Sequence, residues 1–188
     1  MQKKLDQQGW LIDTRHCQSP NFNARPLGTE VNLLVIHSIS LPPDDFSSSD
    51  VIDFFQNKLD FSKSPFYAHL VDVKVSAHFL IQRNGGIVQF VSTAERAWHA
   101  GVSAFQGRDN CNDYSIGVEL EGCDTMSFET AQYQALVELM AELMRVYPGI
   151  VKERVVSHAE IALPPGRKTD PGPYFDWNEL WSRYNAER

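Results

Sequence analysis

Two histidines and one aspartate, carried on segments of different character, are the residues of this chain best suited to chemistry. His37 closes the apolar run VNLLVIHSIS, residues 31–40, and His158 opens HAEIALPPGRKTDPGP, residues 158–173. In the second segment a Pro- and Gly-rich loop of 11 residues separates His158 from Asp170 and carries Lys168. Two His and one Asp are the ligand set of an open catalytic zinc site. Three protein ligands leave a fourth position for water, whose pKa zinc lowers to roughly 7. A metal-dependent hydrolase is therefore the leading expectation.

Such a site also needs a proton carrier and a group that stabilises an oxyanion. Residues 115–121 read as a strand, with Ile116, Val118 and Leu120 on one face and Gly117, Glu119 and Glu121 on the other. Either glutamate could carry the proton, and alternation does not choose between them. Lys168 stands two residues before Asp170. If Asp170 binds a metal, the Lys168 charge comes near the reacting centre.

The elements that must hold these residues are legible in part. Val31–Ile36 is apolar apart from Asn32 and rich in β-branched residues, so a central strand buried on both faces is expected, delivering His37 at its end. A helix is expected from Ser48-Ser49-Asp50, carrying Val51, Phe54, Phe55 and Leu59, followed by a long irregular segment over 60–74. Asn84-Gly85-Gly86 between Ser76–Arg83 and Ile87–Ser92 marks a hairpin. A helix from about Glu129 to Tyr147 is expected, capped by Ser127 and stopped by Pro148-Gly149. Arg154–Ser157 reads as a short strand that ends on His158, and Asp176 as the cap of a last helix. Strands alternate with helices around a hairpin. The expected fold class is therefore α/β: one domain over residues 1–188, with a central mixed sheet flanked by helices.

Composition narrows the partners. The chain has 188 residues, 17 of them basic and 24 acidic, for a net charge of −7. That argues against a nucleic acid and against an anionic membrane surface. No stretch approaches the roughly 20 apolar residues of a membrane helix. The first residues, MQKKLDQQGWLID, lack an apolar core of signal-peptide length. Cys17, Cys111 and Cys123 are odd in number and have no CxxC spacing, which suits a reducing cytoplasm. A monomer acting on a small molecule is expected.

The segments HSIS, SAHFLI, AWHAG, CNDYSIGVELEG and SHAEI…GRKTDPGP together resemble the zinc-dependent N-acetylmuramoyl-L-alanine amidases, most closely their AmpD type. The resemblance runs from Gly9-Trp10-Leu11 to Phe175-Asp176-Trp177. It implies an amidase or peptidoglycan-recognition-like fold, with Zn2+ held by His37, His158 and Asp170. It also implies that Glu119, rather than Glu121, is the acid/base and that Lys168 assists. The substrate it implies is a muropeptide, cut between the lactyl group of 1,6-anhydro-N-acetylmuramic acid and L-Ala during cytoplasmic wall recycling. Ser38 stands where such enzymes often carry Asn, and Lys74 where Arg is common. Trp98 is expected to line the cleft, and Arg108 and Arg167 to meet carboxylates of the stem peptide. His78 is expected to be structural, and His69 to line the 60–74 segment. Two other readings share this frame: a peptidoglycan-binding module without catalysis, and a lysin-type amidase acting on intact wall.

Overall fold

The computed structural model describes residues 3–46 and 48–186. Its strands, in chain order, are β1 Arg15–His16, β2 Phe22–Asn23, β3 Leu33–Ile39, β4 Phe79–Ile81, β5 Ile87–Gln89, β6 Arg96–Ala97, β7 Ala104–Phe105, β8 Arg108–Asp109, β9 Ser115–Glu121 and β10 Val155–Ser157. The α-helices are α1 Asp50–Phe55, α2 Thr130–Val146, α3 His158–Ile161 and α4 Trp177–Ala186. Six strands form the main sheet in the order β1-β5-β4-β9-β3-β10. β4, β9, β3 and β10 run parallel, whereas β5 is antiparallel to β4 through the hairpin turn. This is the mixed α/β sheet that the sequence leads one to expect.

Parallel strands must be covered on both faces, and the apolar run of β3 is what that requires. Leu33, Leu34, Val35 and Ile36 are all fully buried. Leu34 and Ile36 join Ile116, Val118 and Leu120 of β9 against Leu136, Met140 and Leu143 of α2 and Leu180 of α4. Leu33 and Val35 face the other way, toward Ala100, Tyr114 and Ile161. A third cluster gathers Val51, Ile52, Phe54 and Phe55 of α1 with Leu80, Val88 and Phe90.

Several boundaries differ from expectation for identifiable reasons. The cap of α2 is Glu129 rather than Ser127: the Glu129 N–H donates to Gln132 Oε1 (3.0 Å) while the Ser127 carbonyl accepts from Arg83. Gln132 then donates from its buried amide to Ile81 O and Glu121 O, tying α2 to the ends of β4 and β9. The hairpin turn sits so close to α2 that a Cβ on Gly85 (φ +82°) would lie 2.8 Å from Ala131 O. α4 begins as expected, with Asp176 Oδ1 accepting from Asn178 N and Glu179 N.

The 60–74 segment is less irregular than expected. It holds two 3₁₀ turns, Phe61–Lys63 and Pro65–Leu70, whose starts are capped by Asp60 and Ser64. The buried Asp50 of α1 fastens both: Oδ1 accepts from Lys63 Nζ (2.6 Å) and Oδ2 from Tyr67 Oη (2.7 Å). No helix of the described residues is long and apolar enough to cross a membrane.

Two stability predictions follow from this packing. Leu136→Ala empties a fully buried site between α2 and the sheet, so its urea unfolding should show a loss of about 2–5 kcal/mol. Asp50→Ala leaves the buried Tyr67 hydroxyl without its acceptor, at about 1–3 kcal/mol. Amide exchange should then quicken across residues 61–70, and unchanged exchange would mean that apolar packing alone holds this segment.

Candidate metal site and catalytic cleft

The cleft opens beyond the carboxyl ends of the parallel strands, where α/β sheets present their ligand sites. His37 lies near the end of β3 and pairs in register with Glu119 of β9. Both strands run the same way, so the two side chains rise on the same face. β10 runs beside β3 and hands the chain to α3, which Ser157 caps by accepting from Glu160 N (3.1 Å). His158 is thus the first residue of a short helix rather than the last of a strand. The loop from α3 folds back until the Asp170 carbonyl accepts from Ala159 N (3.0 Å). Arg167 braces that loop, donating to the carbonyls of Leu163 (2.7 Å), Val102 (2.8 Å) and Ala100 (3.2 Å).

Three side chains converge here. His37 Nδ1 lies 3.1 Å and His158 Nδ1 3.0 Å from the same Asp170 Oδ2. One donor atom from each residue falls within 4.8 Å of the others, a grouping that could hold a metal ion. Zinc–ligand bonds of about 2.0–2.2 Å place neighbouring tetrahedral ligands roughly 3.4 Å apart, so the spacing fits a small four-coordinate cation. The tautomer fits as well. His158 Nε2 faces Ala100 O (3.1 Å), which requires the proton on Nε2 and leaves a lone pair on Nδ1.

The electrostatics favour the same ion. Burial lowers His37 to about 4, with the Asp170 hydrogen bond acting against the shift, so its imidazole is neutral. Burial alone would raise Asp170, but the His158 and His37 imidazoles that face its Oδ2 hold its carboxyl well below the usual range. Glu119 moves the opposite way. Burial and then the Asp170 charge push it well above the ordinary carboxylate value, and Lys168 offsets only part. Glu119 Oε2 is buried with no hydrogen-bond partner, which makes it the unsatisfied group of this corner.

The cleft has a volume of about 250 Å³. It is lined by His37, Ser38, Glu119, His158, Lys168 and Asp170, together with Phe66, His69, Leu70, Val73 and Val75. His69, expected only to line the 60–74 segment, lines the cleft, edge-on to Phe66 at 4.7 Å between centroids. The two glutamates that alternation left equal separate clearly. Glu121 turns to the hairpin, where Oε2 accepts from Arg83 N (2.9 Å). Lys74 is exposed between two cleft residues, Val73 and Val75. Trp98, Arg108 and Arg167 are not among the lining residues. Trp98 donates to Asn23 Oδ1 (2.6 Å), and Arg108 stacks over Tyr114 at 3.9 Å. His78 is structural as expected: Nδ1 accepts from Gly117 N (3.0 Å), and burial lowers the ring to about 3.

One residue escaped the sequence reading. His99 is buried behind His37, with Nδ1 2.9 Å from His37 Nε2 and Nε2 3.1 Å from Ser115 Oγ. Burial, then the neighbouring His37, His78 and His158, keeps it well below its ordinary value and therefore neutral. Its place within AWHAG, a segment the family resemblance includes, was the available signal.

Residues 9–173 match the family profile described as N-acetylmuramoyl-L-alanine amidase. The chain is 52% identical to the 1,6-anhydro-N-acetylmuramyl-L-alanine amidase AmpD of Haemophilus influenzae, over 94% of this chain and 95% of that one. A crystal structure of a selenomethionine AmpD derivative superposes with a TM-score of 0.90 at 46% identity, covering 95% of this chain and 97% of the other. The Escherichia coli amidase AmiD was solved with the substrate anhydro-N-acetylmuramic acid-L-Ala-D-γ-Glu-L-Lys. It matches at 32% identity and a TM-score of 0.60, over 95% of this chain and 65% of that one.

Proposed function

The chain belongs to the N-acetylmuramoyl-L-alanine amidase family, and on that premise we propose that its cleft is a zinc site that cuts muropeptides. The reaction is hydrolysis of the amide between the lactyl group of 1,6-anhydro-N-acetylmuramic acid and L-Ala of the stem peptide, in peptidoglycan recycling. The observation that carries the zinc reading is the convergence of His37 Nδ1 and His158 Nδ1 on Asp170 Oδ2, beside the unpartnered Glu119 Oε2. Zinc, when bound there, supplies the Lewis acid that makes water nucleophilic near neutral pH.

The residues of the chain do the rest. Glu119 Oε2, free of any hydrogen bond and raised by burial, takes the proton of the attacking water and passes it to the leaving L-Ala nitrogen. A carboxyl raised above its ordinary value holds a proton more readily than a solvated one, which suits it to both halves of that transfer. The Lys168 ammonium, lining the same cleft, stabilises the charge that develops on the carbonyl oxygen. Phe66, Leu70, Val73 and Val75 provide an apolar wall that displaces water around the scissile amide.

Ser38 and Lys74 are the substrate contacts this cleft supports best, Ser38 by its hydroxyl and Lys74 by its charge at the rim. We assign Arg167 to holding the loop that carries Lys168 and Asp170, since its guanidinium donates to three backbone carbonyls. Trp98 and Arg108 would meet only a part of the substrate that extends beyond the cleft. We further infer that residues 1–188 act as one catalytic domain and as a monomer. The three cysteines are free thiols, which suits a cytoplasmic enzyme.

The test is mass-spectrometric detection of stem peptide released from a purified 1,6-anhydro-muropeptide, with and without a zinc chelator. Release of a peptide with a free L-Ala amine should stop with chelator and return with added zinc. Release that ignores the chelator would sink the metal assignment. Asp170→Ala should lose both zinc content and activity. Glu119→Gln should keep zinc while turnover falls about 10²–10⁴-fold, and Glu121→Gln should retain most activity. Reversal of the two glutamate results would move the proton carrier to Glu121.

A further inference from the structure

Both imidazoles that face Asp170 are supported from behind by consecutive residues of one turn. Ala100 provides its carbonyl to His158 Nε2 (3.1 Å), and His99 its Nδ1 to His37 Nε2 (2.9 Å). The turn itself is held by the buried Asn112, whose Oδ1 accepts from both His99 N (3.0 Å) and Ala100 N (2.8 Å). The His99 ring lies flat against the backbone of β9. A Cβ on Gly117 would come within 2.5–2.7 Å of three of its ring atoms, so only glycine leaves room for it. Ser115, one turn of the pleat away on the same face, meets the far nitrogen of the ring.

The proton inventory gives this arrangement a purpose. Two neutral assignments satisfy the row Ser115–His99–His37–Asp170. In one, each ring carries its proton on Nδ1, so that His37 donates to Asp170 and has no lone pair for a metal. In the other, each ring carries it on Nε2: His37 donates to His99, His99 donates to Ser115 Oγ, and His37 Nδ1 is open. The row is thus able to hand His37 over to a metal while both ring N–H groups keep an acceptor.

We propose that His99 is a positioning residue for the metal site, its Nδ1 accepting the His37 Nε2–H so that the His37 Nδ1 lone pair is aimed at the ion. Imidazole ligands of metals nearly always donate their second nitrogen to an oxygen acceptor. His158 follows that habit, whereas His37 relies on another imidazole. The proposal rests on reading His37, His158 and Asp170 as the zinc ligands.

The test compares zinc affinity, by competition with a chromophoric chelator, for the wild-type protein, His99→Leu and His99→Asn. Leu and Asn have nearly the same shape, and only Asn offers an acceptor near the place of Nδ1. His99→Leu should bind zinc roughly 10–100-fold more weakly, and His99→Asn should recover most of that loss. Equal affinities for the two variants would overturn the role of His99 while leaving the zinc site intact. A wild-type protein that binds no zinc would overturn the site itself, and His99 with it. Nitrogen-15 NMR of the zinc-loaded wild-type protein reads the same point without any substitution. The His99 proton should sit on Nε2, and a proton on Nδ1 would sink the proposal.

Discussion

The parallel pairing of β3 with β9 is the constraint on which the site depends. It sets His37 directly opposite Glu119, and it does so through backbone hydrogen bonds that know nothing of chemistry. Side chains alternate along a strand, so a slip of one residue would send His37 into the α2 core and Leu34 and Ile36 into the cleft. The apolar faces forbid that slip. Ile116, Val118 and Leu120 can only face α2, which forces Gly117 and Glu119 to face the cleft. The hydrophobic pattern that builds the core therefore also aims the polar residues.

Burial is the largest single influence on His37, Glu119 and Asp170 alike, yet it does not decide all three. It leaves His37 neutral and Glu119 raised, as expected for groups withdrawn from water. Asp170 alone overcomes it, because two imidazoles share one of its oxygens. The result is one carboxylate charge, two imidazole nitrogens facing it and one carboxyl with an unpartnered oxygen. Such a corner stabilises the empty fold little, since buried charge is costly to hold. The large apolar cluster between the sheet, α2 and α4 offsets that cost.

The rest of the cleft is held by polar clasps rather than by long elements. Asp50 fastens the two 3₁₀ turns to α1, and Arg167 fastens the loop that carries Lys168 and Asp170. Asp50 gives the buried Tyr67 hydroxyl its acceptor, and the Arg167 guanidinium satisfies carbonyls that irregular backbone would otherwise leave unpaired. Asn112 does the same for the turn behind the two histidines. Rigid placement of cleft side chains on loops needs supports of this kind.

The amino-acid sequence by itself determined the elements and the chemistry. The apolar run of β3, the alternation of β9, the Asn-Gly-Gly turn and the stripe of α2 are local patterns, and local patterns report strands and helices directly. Residue types alone nominated His37, His158, Asp170 and Lys168, since few other sets of side chains suit a hydrolytic metal. What only the tertiary structure decided is relational. Glu119 and Glu121 are equivalent by alternation, and they separate because β9 ends where the hairpin supplies Arg83 N to Glu121. Ser127 reads as the cap of α2 by residue type, and Gln132 and Arg83 move the cap to Glu129. Arg167 reads as a free cation until the backbone carbonyls around it are known. His99, far from His37 in the chain, becomes its neighbour only because Gly117 leaves room for its ring. Side-chain partners separated by many residues are set by packing in three dimensions, and no periodicity along the chain encodes them.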